Sequence, residues 1–139
     1  MARMKFATAA AMLAAVLGSP VAAQNFTSAA EVRPILDMTR GSWVAIREYG
    51  GKDLVYFTHL LAWRCGLREI RYGFNGAAPN TPFKMEQCHD GAAQPNAISG
   101  DGVFVSQPGG SVKEVRVKLI YDDGTTDEAR FTRDQILMR

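Results

Sequence analysis

The chain has 139 residues, with 16 lysines and arginines, 14 aspartates and glutamates, and two histidines. Arg3 and Lys5 lie in an N-terminal leader, so the rest of the chain carries 14 charges of each sign. Without a basic excess or a basic run it lacks the cations that displace counterions from a phosphate backbone, and nucleic acid is excluded as an expected partner.

The chain opens MARMKFATAAAMLAAVLGSPVAAQ. Arg3 and Lys5 form a basic start, and Phe6 to Leu17 is an apolar run without a charge. Gly18, Ser19 and Pro20 break that run, and Val21-Ala22-Ala23 presents small residues to a peptidase. This order predicts a cleaved signal peptide over residues 1–23, with the scissile bond between Ala23 and Gln24, and a periplasmic or secreted product. The apolar run is too short to span a hydrocarbon core of about 30 Å. No cysteine follows it to carry a lipid anchor, and no later segment is apolar enough to cross a membrane.

Residues 24–41 read as a tether and a short helix. Ser28 and Glu31 fit a capping box, in which hydroxyl and carboxylate satisfy orphan N–H groups. Val32 and Leu36, with Ile35 beside them, supply the buried face, and Pro34 argues for no more than one or two turns. Gly41 is the expected stop.

From Ser42 the period changes to two. WVAIREY and LVYFTHLLAW flank the turn residues Gly50-Gly51-Lys52-Asp53 and predict a hairpin, with His59 inside the second strand. LREIRYGF is a third strand, with Ile70, Tyr72 and Phe74 on one face. Arg64, Arg68 and Arg71 read as charges on a solvated edge. Residues 75–111 have loop composition, with TPFKMEQ and GVFVS as short strand candidates; loops of this length are either a binding surface or connections tied down by a disulfide, and the two readings carry equal weight. The last hairpin is the clearest. Val115, Val117, Leu119 and Tyr121 share a face, Asp123-Gly124 turns the chain, and Ala129 and Phe131 return. The fold class expected for residues 42–139 is therefore mainly β, a small antiparallel β-sandwich or partly open barrel, with one short N-terminal helix and one disulfide.

The disulfide is the expected state of Cys65 and Cys88. An even cysteine count in an exported chain points to a bond, and these two are too far apart for a redox pair. Closing a loop of about 24 residues contributes roughly 3.4 kcal/mol on the chain-entropy model. His59 is expected to be a core imidazole held by a neighbour, and His89 a loop residue. A metal site on His59 and His89, with Met85 as a soft third ligand, is the alternative, but H-x5-C and adjacent C-H are poor chelating spacings. No catalytic residue and no cofactor is expected: P-loop, dinucleotide and nucleophile-elbow patterns are all missing. DDGTTDE does not have calcium-loop spacing. The sequence thus points to an exported β-rich domain with a binding or structural role in the envelope, its partner an envelope protein or a small ligand. A small metal-binding protein is the runner-up, and a hydrolase with dispersed residues a third possibility.

Overall fold

The computed structural model describes Met4 and residues 24–139, so the cleavage site at Ala23 and nearly all of the expected signal peptide lie outside the described residues. Helix α1 spans Ala29–Met38. Ser28 caps it, its Oγ accepting the Glu31 N–H, while the Glu31 carboxylate takes the Ser28 hydroxyl at 2.8 Å and the Phe26 N–H at 3.1 Å. The helix is longer than Pro34 suggested. Proline removes one ladder bond, but the buried Val32 and Leu36, on either side of it, hold the helix to the core.

Strands β1 (Ala45–Tyr49), β2 (Lys52–Tyr56) and β5 (Phe104–Pro108) form one antiparallel sheet in the order β1-β2-β5. Gly50 and Gly51 both have positive φ and close the two-residue turn between Tyr49 and Lys52, a conformation that few other residues adopt without strain. Strands β3 (Leu67–Phe74), β4 (Thr81–Pro82), β6 (Glu114–Tyr121) and β7 (Thr126–Thr132) form a second antiparallel sheet, ordered β4-β3-β6-β7. Among the described residues the chain is thus mainly β, with two sandwich-like sheets and no closed barrel. No helix among the described residues is long and apolar enough to cross a membrane.

Period two decides which way each strand faces. In the four-stranded sheet Ile70, Val115, Val117, Leu119 and Phe131 turn inward and are buried, while Arg71, Arg116, Lys118 and Arg130 lie on the opposite face. In the three-stranded sheet Ile46 and Val55 are the buried pair, and Trp43, Phe57 and Leu36 complete the core.

One strand expectation is overturned. LVYFTHLLAW stays in the sheet only as far as Tyr56, and Thr58–Leu61 forms a single turn, α2, followed by a 3-10 turn over Arg64–Gly66. Phe57, Leu60, Leu61, Arg64 and Cys65 are all buried. Their spacing of i, i+3, i+4, i+7 and i+8 is helical, and a strand would have turned Leu60 and Leu61 to opposite faces. His59 is therefore a half-buried helix residue and not a strand residue. Gly66 receives α1, since a Cβ there would lie 2.3 Å from a Val32 methyl and 2.7 Å from the Ser28 carbonyl oxygen. A third helical turn, α3 (Arg133–Ile136), follows β7 and was not expected. Beyond it Leu137 bridges to Ile46, and the Met138 N–H donates to the Ile46 carbonyl at 2.8 Å.

Asp53, read from sequence as a turn residue, is fully buried in β2. Its carboxylate accepts from the Gly110 and Val112 N–H groups at 2.9 and 3.0 Å, and from Arg133 at 2.6 and 3.1 Å. The arginine also donates to Glu48 at 2.6 Å and to the Val112 carbonyl at 2.7 Å. Arg133 and the two backbone donors hold the Asp53 carboxyl far below the ordinary aspartate range, against the opposing effect of burial. Removing one member of such a pair leaves the other charged and unmatched. Asp53→Ala is expected to lower unfolding stability by about 3–5 kcal/mol, and Asp53→Leu combined with Arg133→Met by much less than the two single changes summed. Denaturant titration of the wild type, Asp53→Ala, the two single changes Asp53→Leu and Arg133→Met, and their combination checks both statements.

Candidate functional site

The residues singled out in sequence fall into two regions. The first is the loop cluster around the disulfide. Cys65 and Cys88 are bonded, with Cα atoms 5.2 Å apart, so neither offers a thiolate to a metal or to a substrate. Arg64, expected on a solvated edge, is 2% exposed. Its Nε donates to the Glu86 carbonyl at 2.8 Å, Nη1 to the Leu61 and Asn96 carbonyls at 3.0 and 2.8 Å, and Nη2 to the Gln87 and Ala97 carbonyls at 3.0 and 2.9 Å. Nη2 also meets the Glu86 carboxylate at 3.0 Å. A planar fork of five donors suits a cage of carbonyls that no regular structure satisfies. The local signal was the i+7 position of Arg64 from Phe57 on the apolar helical stripe.

Glu86 is the acceptor counterpart. Its carboxylate takes the Gly100 N–H at 2.7 Å, the Ser99 N–H at 3.0 Å and hydroxyl at 3.0 Å, and His89 Nε2 at 2.8 Å. The Gly100 N–H first, then His89 and Ser99, hold its carboxyl at about 2, below the ordinary 4.5. Met85 is half-buried beside this cluster and packs against the core.

The second region contains His59. Its Nε2 lies 2.8 Å from Thr39 Oγ1, whose own hydrogen is given to the Ile35 carbonyl at 2.7 Å. The hydroxyl has one hydrogen, so His59 must donate, which fixes the neutral ring as the Nε2–H tautomer with Nδ1 as an acceptor. Burial lowers the His59 pKa and favours that neutral form. The imidazole forms part of the wall of a pocket of about 450 Å³, together with Trp43, Ala45, Arg47, Tyr56 and Met138. Trp43 is fixed by its indole N–H to the Leu36 carbonyl at 2.8 Å and by the Arg40 guanidinium 4.8 Å from its ring centroid.

This pocket opens onto the outer face of the three-stranded sheet. The register puts Tyr49, Leu54, Tyr56 and Phe104 on that face, opposite Ile46 and Val55. Tyr49 is 63% and Phe104 41% exposed, and the Tyr56 and Phe104 rings lie 5.4 Å apart. Sequence reasoning missed this surface because Ala45, Tyr49 and Tyr56 read as ordinary members of alternating strands.

His59 and His89 are held by different partners, Thr39 and Glu86, and among the described residues no three His, Cys, Asp or Glu side chains are arranged to hold a metal. Comparison with protein-family models, curated proteins and solved structures finds no match.

Two expectations follow for the loop cluster. Replacing both Cys65 and Cys88 by serine should lower stability by about 2–4 kcal/mol while the far-ultraviolet spectrum of the strands persists. Denaturant midpoints before and after the change give the difference. Glu86 should titrate, by the NMR shift of its carboxyl carbon, near 2 and not near 4.5. Its depressed value gives the sign: the carboxylate stabilises the loops above pH 4.5, and that contribution is lost as pH falls through about 2. A carboxyl midpoint near 4.5 would contradict the hydrogen bonds described.

Proposed function

We propose that this chain is an exported, non-catalytic domain with a binding role in the envelope, and that it binds through the pocket beside Trp43 and the aromatic sheet face next to it. The observation that carries this reading is a contrast between polar and apolar regions. The charged clusters, Asp53 with Arg133 and Arg64 with Glu86, are saturated by contacts inside the chain. The pocket beside Trp43 is instead apolar, open and about 450 Å³ in volume, within the range of small-ligand sites. Contiguous exposed apolar surface marks an interaction site on a folded domain. The leader pattern and the disulfide are both compatible with export, and separate anchoring of His59 and His89 weighs against a shared metal centre.

The two halves of the reading are tested separately. N-terminal sequencing of the protein recovered from the envelope fraction or medium should begin at Gln24 or within a residue or two of it. Intracellular protein still starting at Met1 would remove the export argument. For binding, the neutral apolar dye Nile red should saturate one site per chain. Ala45→Trp, which adds bulk at the pocket wall, should abolish that signal without changing the circular dichroism. Unsaturable dye uptake, or uptake indifferent to Ala45→Trp, would dismiss this pocket as the binding site.

A further inference from the structure

Resting on that binding reading, we infer that the pocket takes an amphipathic anion, an apolar body carrying one carboxylate, with Arg47 as the residue that selects the charge. The side chains lining the pocket include one arginine and no acid. His59 adds no formal charge in its neutral form. Alternation along β1 places Arg47 outward and sends its acidic neighbour Glu48 to Arg133 on the other face. Across the ladder Arg47 pairs with Leu54, and the next outward cross-strand residues are Lys52 and Tyr56. No carboxylate lies within this set.

Arg47 differs in this from most of its kind. Arg33, Arg40, Arg64, Arg71, Arg116, Arg130 and Arg133 each meet a carboxylate within the chain. Among the described residues Arg47 makes no ion pair and no side-chain hydrogen bond. Its guanidinium lies over the Tyr49 ring, 4.7 Å from the centroid. That contact occupies a face of the guanidinium and none of its N–H groups, which leaves them available to grip a carboxylate through two parallel hydrogen bonds. The apolar remainder of such a ligand then has Ala45, Tyr56 and Met138 to cover it, above the buried Trp43.

Charge and apolar body can be varied one at a time. Decanoate should bind the wild-type chain with one site in calorimetry and perturb the Trp43 indole and His59 resonances. Decanol, with the same chain length and no charge, should bind about tenfold more weakly, in line with the strength of a charge-assisted pair. Arg47→Met should bring decanoate down to the level of decanol and leave decanol unchanged, and Arg47→Lys should recover only part of the difference. Arg47 is exposed, so these variants are expected to fold, and an unchanged near-ultraviolet spectrum checks that.

Equal binding of decanoate and decanol, unaffected by Arg47→Met but lost in Ala45→Trp, would overturn the anion assignment and leave the apolar site standing. Binding of neither probe while Nile red still occupies the pocket would overturn the ligand class. A dimer in sedimentation that Tyr56→Asp converts to monomer would overturn it differently, by showing that a second copy covers this face.

Discussion

The buried pair of Asp53 and Arg133 is the constraint that ties the two sheets into one structure. Asp53 stands on β2 of the three-stranded sheet, and Arg133 follows directly on β7 of the four-stranded one. A carboxylate with no solvent contact is tolerated only when its lone pairs are met. The Gly110 and Val112 N–H groups and the arginine meet them. Sliding one sheet against the other would strip contacts from a buried charge, so the pair sets registration as well as attachment. Its influence extends along the chain. With Arg133 fixed, α3 buries Ile136, Leu137 reaches Ile46, and Met138 arrives at the mouth of the pocket.

Arg64 has the corresponding role where there is no sheet. The segment from Glu86 to Gly100 is irregular, so its carbonyls have no ladder to enter. Five of the carbonyls around it, four of them from this segment, converge on one guanidinium, and the Glu86 carboxylate gathers the N–H groups of Ser99 and Gly100. Asn96 extends the network to the N-terminal tether, accepting the Cys65 N–H and donating to the Asn25 and Phe26 carbonyls. The disulfide adds a covalent link across the same region. Loop composition alone left open a binding surface or a set of connections tied down by the disulfide. The donors and acceptors point at one another, which favours the second reading and makes the region a brace.

How much of this was legible follows from which interactions are local. The β6–β7 hairpin, β3 and the Gly50-Gly51 turn depend on alternation and turn chemistry over a few residues, and the sequence shows them directly. The cysteine pair was legible too, because an even count behind a leader-like N-terminus points to a bond, and the two are bonded. The reading of residues 57–66 failed because a short apolar run fits both periods, and β-branched and aromatic neighbours in LVYF biased it toward strand. Counting Arg64 and Cys65 with Phe57, Leu60 and Leu61 would have shown a helical stripe ending in a charge. Asp53 as a buried ion was not legible, and of Arg64 only its place on that stripe was, not the carbonyl cage that satisfies it. Asp53 depends on partners 57 to 80 residues away, and Arg64, apart from the Leu61 carbonyl three residues back, on partners 22 to 33 residues away, and a local reading carries no signal for these.

The pocket is a consequence of the same misread segment. Had β2 continued past Tyr56, which pairs with the first residue of β1, residues 57–61 would have run beside residues 40–44 and extended the sheet past Trp43. Instead Phe57 closes its last interstrand bond to the Val103 carbonyl at 2.8 Å and the chain folds into α2. That turn buries Phe57, Leu60 and Leu61 together, more apolar surface on one side than alternation would allow. It also ends the sheet face abruptly at Tyr56. The open end is bounded by His59 on α2, Trp43 before β1 and Met138 from the C-terminal segment. Three segments distant in sequence thus meet around a space that none of them fills. The helical packing that stabilises residues 57–61 is what leaves an apolar concavity at the edge of an otherwise regular sheet.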